Sequence, residues 1–286
     1  MSGQMFSKSR QKSTVISLLA AGFVIGTTAP AVHAISWRDL FLRSVQVIQL
    51  SNISTRQEIA LGDQIHKNLQ TQGMKLSRNR RLSNYVDQIG DRLVRNAQRT
   101  QIPYKFHVVD DKAINAYATA GGYVYVTTGL MQAADNEAQL ASVVAHEISH
   151  IEEKHLIEQI RQQTITRGLV ATALGSDRNV LANIGTELIF NRPQSRKDEY
   201  EADATGLDIL RKSNYSTPAM PAFMRKLLGG GRTPTFLSTH PAVPDRITEL
   251  EALIRSGPTN DCDTANIPEY CGTNKDAYNR AVKAQL

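Results

Sequence analysis

The sequence predicts an α+β fold dominated by helices, with one small sheet. Two patterns carry that prediction. Apolar side chains recur at helical spacing along most of the chain, whereas only Phe106–Val109 and the run around Tyr123–Thr128 are dense in good strand formers. A hydrophobic fraction of 41% with 21% charged residues adds that the 286-residue chain folds and is not intrinsically disordered. One long uncharged stretch is too little for a multi-span membrane protein. The first 34 residues supply three of the 33 bases and no acid, so the remainder carries 30 bases against 27 acids. With so small an excess, and no basic run interleaved with aromatics, nucleic acid is not an expected partner.

The N-terminus reads as a secretory signal peptide. Lys8, Arg10 and Lys12 precede an apolar core from Thr14 to Thr28, and Val32-His33-Ala34 places small residues at a cleavage site after Ala34. An uncleaved anchor needs ~20 apolar residues, and Pro30 and His33 interrupt that extension. The predicted organisation is a signal peptide over 1–34, a single domain over 35–257 and a tail over 258–286. The only two cysteines, Cys262 and Cys271, lie in that tail, and an exported chain meets an oxidising compartment that favours a bridge between them.

The elements follow in order. Residues 36–70 read as helical, with Ser54 or Thr55 as a cap and Ile59, Leu61, Ile65 and Leu69 recurring. Residues 80–99 repeat the pattern with Leu82, Val86, Ile89 and Leu93 on one face, until Pro103 intervenes. Phe106–Val109 is a short strand. Gly121-Gly122 marks a turn or bulge before the strand around Tyr123–Thr128. Asp135 is the expected cap of a helix running to about Gln163. Residues 168–190 are Ala/Leu/Gly-rich and broken at Ser176–Asn179, which predicts two short buried helices, with a peripheral membrane contact as the alternative. Further helices are expected over 196–211 and after Pro241 and Pro244. The triplet Gly229–Gly231 reads as a flexible loop.

The chemistry concentrates in His146-Glu147-Ile148-Ser149-His150. On a helix, four residues turn through about 400°, so both imidazoles leave the same face one turn apart. That spacing lets both reach one Zn²⁺ at ~2.0–2.1 Å, with Glu147 beside it as a general base. A catalytic zinc site takes three protein ligands. Position 156 is Leu, so a nearby third histidine of the H-E-x-x-H-x-x-G-x-x-H kind is absent. His155 falls about 140° around a continuous helix from His150 and reads as a packing residue. A carboxylate from a later helix is the remaining source. Glu199 and Asp203, at i and i+4, share a face there; Glu201 faces elsewhere.

These residues resemble a known family. The HEISH segment, followed by SRKDEYEADATG and STHPAVPDRI and preceded by VVDDKAINAYATAGGYVYVTTGLM, is similar to the HtpX / CAAX-prenyl-protease family of zinc metallopeptidases, peptidase family 48. The likeness covers about residues 54–255 and points to a minimal exported BepA-like branch without its helical-repeat domain and without transmembrane helices. It implies a zincin-like metallopeptidase domain, one Zn²⁺ per chain held by His146, His150 and Glu199, Glu147 as catalytic base, and Asp203 as an auxiliary acid or orienter. It further implies hydrolysis of peptide bonds in unfolded or misfolded envelope polypeptides, in a periplasmic or other extracytoplasmic location.

Three roles stay open. A developing oxyanion needs a donor beside the metal, and His240, Arg246 and Tyr200 are candidates. His240, held extended by Pro241, is also able to swing onto the metal as a gate. The strand through Tyr123, Val124, Tyr125 and Val126 is a candidate exposed edge for pairing with an extended substrate. Two rival functions are a chaperone or adaptor that binds unfolded chains with little proteolysis, and a zinc hydrolase of non-peptide amides.

Overall fold

The computed structural model describes residues 53–167, 178–191, 194–230, 233–264 and 269–286. The signal peptide, the first half of the Ala/Leu/Gly-rich segment, Pro193 and Gly231 lie outside the described residues. Helix α1 (Thr55–Thr71) starts at Ser54, whose side chain accepts from Gln57 N–H while the Gln57 side chain accepts from Ser54 N–H. Helix α2 (Arg80–Val94) is capped by Asn79 and buries Leu82, Val86, Ile89 and Leu93, the face that periodicity predicts.

Strands β1 (Lys105–Val109), β2 (Ala116–Ala118) and β3 (Tyr123–Thr127) form one sheet in the order β1-β3-β2. The β1–β3 pair is parallel and pairs Lys105 with Tyr123; the β2–β3 pair is antiparallel and pairs Ala118 with Val124. Strands β2 and β3 are joined by a tight turn in which Gly121 and Gly122 take φ of 72° and 96°, where a side chain would be strained. Every residue of β3 is buried. Val124 and Val126 enter one core, and Tyr123 and Tyr125 enter a second core with Leu61, Ile65 and Leu69 of α1. Tyr123–Val126 is therefore not the exposed edge. It is the middle strand, and its backbone is paired on both sides.

A short helix α3 (Thr128–Ala133) leads to α4 (Glu137–Glu152), which carries both motif histidines. Its cap is Asn136, which accepts from Gln139 N–H, rather than the expected Asp135. From Ala138 to Ile151 every residue of α4 is buried. The helix does not run on to Gln163. Lys154 takes φ 58°, a left-handed geometry that costs roughly 1–2 kcal/mol for a non-glycine residue, and α5 (His155–Thr166) starts afresh. Then come α6 (Arg178–Asn191), α7 (Arg196–Lys212), α8 (Ala219–Leu228), α9 (Thr235–Thr239) and α10 (Val243–Ser256). Leu181, Ala182, Ile184 and Leu188 of α6 are buried, in line with the core reading of that segment. Among the described residues no helix is long and apolar enough to cross a membrane.

The segment beyond 258 is more than a tail. Cys262 and Cys271 form a disulfide, and α11 (Lys275–Ala281) buries Tyr278. Tyr278 Oη donates to Met131 O at 2.7 Å, and Gly272 O accepts from Ala138 N–H at 2.8 Å, in the first turn of α4. A bridge closing so short a loop contributes about 2–3 kcal/mol. Replacing both cysteines with serine is expected to lower unfolding stability by that amount in denaturant titration. An unchanged midpoint would show that the buried contacts hold this segment without the bridge.

Candidate metal centre

Two helices build the centre. Helix α7 packs against α4 closely enough that a Cβ on Gly206 would come within 3.2 Å of the His146 backbone. That approach brings the buried face of α7, with Glu199 and Asp203, onto His146 and His150. His146 Nε2 and His150 Nε2 lie 3.1 Å apart. Glu199 Oε2 is 3.6 Å from the first, and its Oε1 is 3.6 Å from the second. The segment after α9 brings in His240, whose Nδ1 is 3.2 Å from His146 Nε2 and 2.9 Å from Glu199 Oε1. His146, His150, Glu199 and His240 are all buried, with donor atoms within 4.8 Å of one another.

This donor set fits a divalent cation. His146 Nδ1 lies 3.1 Å from Asp203 Oδ1, so that nitrogen carries the proton and Nε2 presents a lone pair to the centre. Imidazole nitrogens and a carboxylate that converge on one buried point are a donor set that a cation among them would satisfy. Two imidazoles and one carboxylate are the ligand types and number of a catalytic zinc site.

Residues 80–254 match the family described as Peptidase family M48. The chain belongs to family M48. Among curated M48 relatives, the Beta-barrel assembly-enhancing protease of Escherichia coli (strain K12) is 31% identical over 256 residues, covering 83% of this chain and 51% of that protein. A putative protein of the same name from Vibrio cholerae is 32% identical over 247 residues, covering 80% and 51%. The mitochondrial metalloendopeptidase OMA1 of Bos taurus is 31% identical over 191 residues, covering 60% and 36%. The chain spans about half the length of the first two relatives. The metal-binding group of this M48 chain is His146, His150 and Glu199.

Around that group the structure redistributes several expected roles. Asp203 does not face the cleft. Arg246 Nε and Nη2 donate to its two oxygens at 2.6 and 2.7 Å, and its own Oδ1 faces His146. Burial alone would raise its pKa, but Arg246 and His146 hold it below the ordinary aspartate range. Both of its oxygens are thus engaged by Arg246, with Oδ1 also beside His146. Arg246, fully buried, also pairs through Nη1 with Glu199 and donates to His240 O and Pro241 O at 3.3 and 3.4 Å. With these partners it clamps the two carboxylates of α7 rather than facing a substrate oxyanion. Tyr200 is half-buried and outside the four-residue group. Glu201 pairs with Lys197 and stands outside the four-residue group, as its helical position predicts.

Glu147 lines a cleft shared with Asn115, Ala118, His150, Leu156 and His240. Burial pushes its carboxyl above the ordinary glutamate range, against the pull of His240 and His146. His240 is raised overall, because Glu199 and Glu147 outweigh its burial. Ala116–Ala118 carry no sequence signal of a role. Three residues are too few to show a strand period, yet β2 is an outer strand of the sheet, and Ala118 lines the cleft together with Glu147.

Proposed function

We propose that the chain is an exported endopeptidase carrying one zinc, which hydrolyses peptide bonds in unfolded envelope polypeptides. The observation that carries this reading is the convergence of His146, His150 and Glu199 beside a buried Glu147 that opens on a cleft. Zinc held by those three residues would polarise a scissile carbonyl and bring water towards ionisation near neutral pH. Glu147 takes the proton of the attacking water and delivers it to the leaving amine; its raised pKa suits a group that must both accept and release a proton. Strand β2 is an outer strand of the sheet and lines the cleft beside Glu147, where an extended substrate would lie along it. Residues 1–34, with the features of a signal peptide, and the likeness to a protease named for β-barrel assembly support a periplasmic role in outer-membrane protein quality control.

Cleavage of an unfolded protein by the purified chain, with and without chelator, tests this reading. Zinc-dependent cleavage supports it. Tight binding of the same substrate with no cleavage in excess zinc would favour the chaperone or adaptor.

His240 lies against the metal-binding group, with its Nδ1 3.2 Å from His146 Nε2 and its Nε2 3.5 Å from Glu147 Oε1, and would occlude a metal held there. Its role is that of a gate, closed at rest and displaced by substrate. His240→Ala is therefore expected to keep the metal and to cleave faster. Slower cleavage with the metal retained would instead make His240 a stabiliser of the transition state, and unchanged kinetics would leave it a structural residue.

A further inference from the structure

On a continuous helix His155 would point away from His150. The left-handed turn at Lys154 brings it back: His155 Nδ1 lies 2.8 Å from His150 Nδ1, and both rings are buried. On its other side, His155, Asp198 and Glu201 each have a donor atom within 4.8 Å of the others, and His155 Nε2 lies 3.6 Å from Glu201 Oε2. We propose that His155 is a positioning residue for the metal ligand His150, accepting the His150 Nδ1–H and keeping its own proton on Nε2, the side that faces Asp198 and Glu201.

Proton placement decides which ring donates. Two ring nitrogens at 2.8 Å share a single proton, so one ring donates and the other accepts. If His155 donated, neutral His150 would carry its proton on Nε2, the atom facing His146 and Glu199, and that nitrogen would have no lone pair for a metal. Metal binding through Nε2 selects the opposite arrangement: His150 donates from Nδ1, and His155 accepts. Neutral His155 must then carry its proton on Nε2, and that is where the two carboxylates of α7 stand. The same helix thus serves both motif histidines, Asp203 behind His146 and Asp198 with Glu201 behind His155. The rival reading of His155, Asp198 and Glu201 as a second metal site fails on the same count, because a protonated Nε2 cannot ligate. The inference rests on His150 being a metal ligand, as proposed for the centre.

Zinc affinity by chelator competition, with thermal unfolding of the metal-free proteins alongside, tests it. His155→Leu removes the acceptor and is expected to weaken zinc by about 10–100-fold. His155→Asn restores an acceptor near the Nδ1 position and is expected to recover most of that loss, even where both variants unfold at the same lowered temperature. Nitrogen-15 ring spectra of the zinc-loaded wild type are expected to show His155 as the Nε2–H tautomer. Wild-type affinity in His155→Leu, no recovery in His155→Asn, an Nδ1–H tautomer at His155, or a second zinc lost in Asp198→Asn would each overturn the proposal. A wild-type protein that binds no zinc would instead remove the metal-centre reading on which it rests.

Discussion

Glu147→Gln is expected to lower peptide cleavage by about 10²–10⁴-fold while leaving the metal content unchanged. The amide has nearly the shape of the carboxylate, and Glu147 is not one of the three residues assigned to the metal. What the variant lacks is a group that can take up and release a proton. Glu147 is well placed to do both, since it is buried, its carboxyl is raised by burial, and it faces the cleft beside His150. The comparison requires metal analysis and single-turnover cleavage on the same preparation. Full activity with full metal would move the base to another residue. Loss of metal along with activity would mean that Glu147 helps hold the centre together.

Arg246→Met is expected to cost the metal-free protein about 3–5 kcal/mol of stability, the usual penalty for breaking a buried ion pair from one side. Arg246 is fully buried and reaches both Glu199 and Asp203. Without it two buried carboxylates on one helix face lose their cation, and Nη1 no longer donates to the carbonyls of His240 and Pro241. Denaturant unfolding in the presence of chelator measures the cost. Excess zinc should restore part of it, since a metal at Glu199 replaces one positive partner. A change below about 1 kcal/mol would show that water reaches these carboxylates and that the clamp is not needed.

The metal ligands on α4 are legible in the sequence because their information is local. A four-residue spacing on a helix fixes two side chains on one face without knowledge of the rest of the fold. The same logic puts Glu199 and Asp203 together on α7 and excludes Glu201, but it cannot say what stands opposite. Whether Asp203 meets substrate or the back of His146 depends on the packing of α7 against α4, which Gly206 permits and periodicity does not reveal. The middle position of β3 is hidden for a related reason. Its strand formers announce a strand, whereas its neighbours are set by the parallel pairing with β1 and by a three-residue β2 too short to signal itself. The break at Lys154 carries no glycine or proline to announce it. Periodicity therefore runs the helix through it and turns His155 the wrong way. The segment after 258 reads as a tail because its anchoring contacts, Tyr278 to Met131 and Gly272 to Ala138, span more than a hundred residues and leave no mark in local sequence.

The proposed chemistry requires His146, His150 and Glu199 to hold one zinc. Metal analysis of the purified protein tests it most directly, with His146→Ala/His150→Ala and Glu199→Gln prepared in parallel. The expected result is about one zinc per wild-type chain, essentially none in the double variant and a weakened complement in Glu199→Gln. Full zinc content in the double variant, or loss of zinc from Glu201→Gln while Glu199→Gln retains it, would contradict the claim.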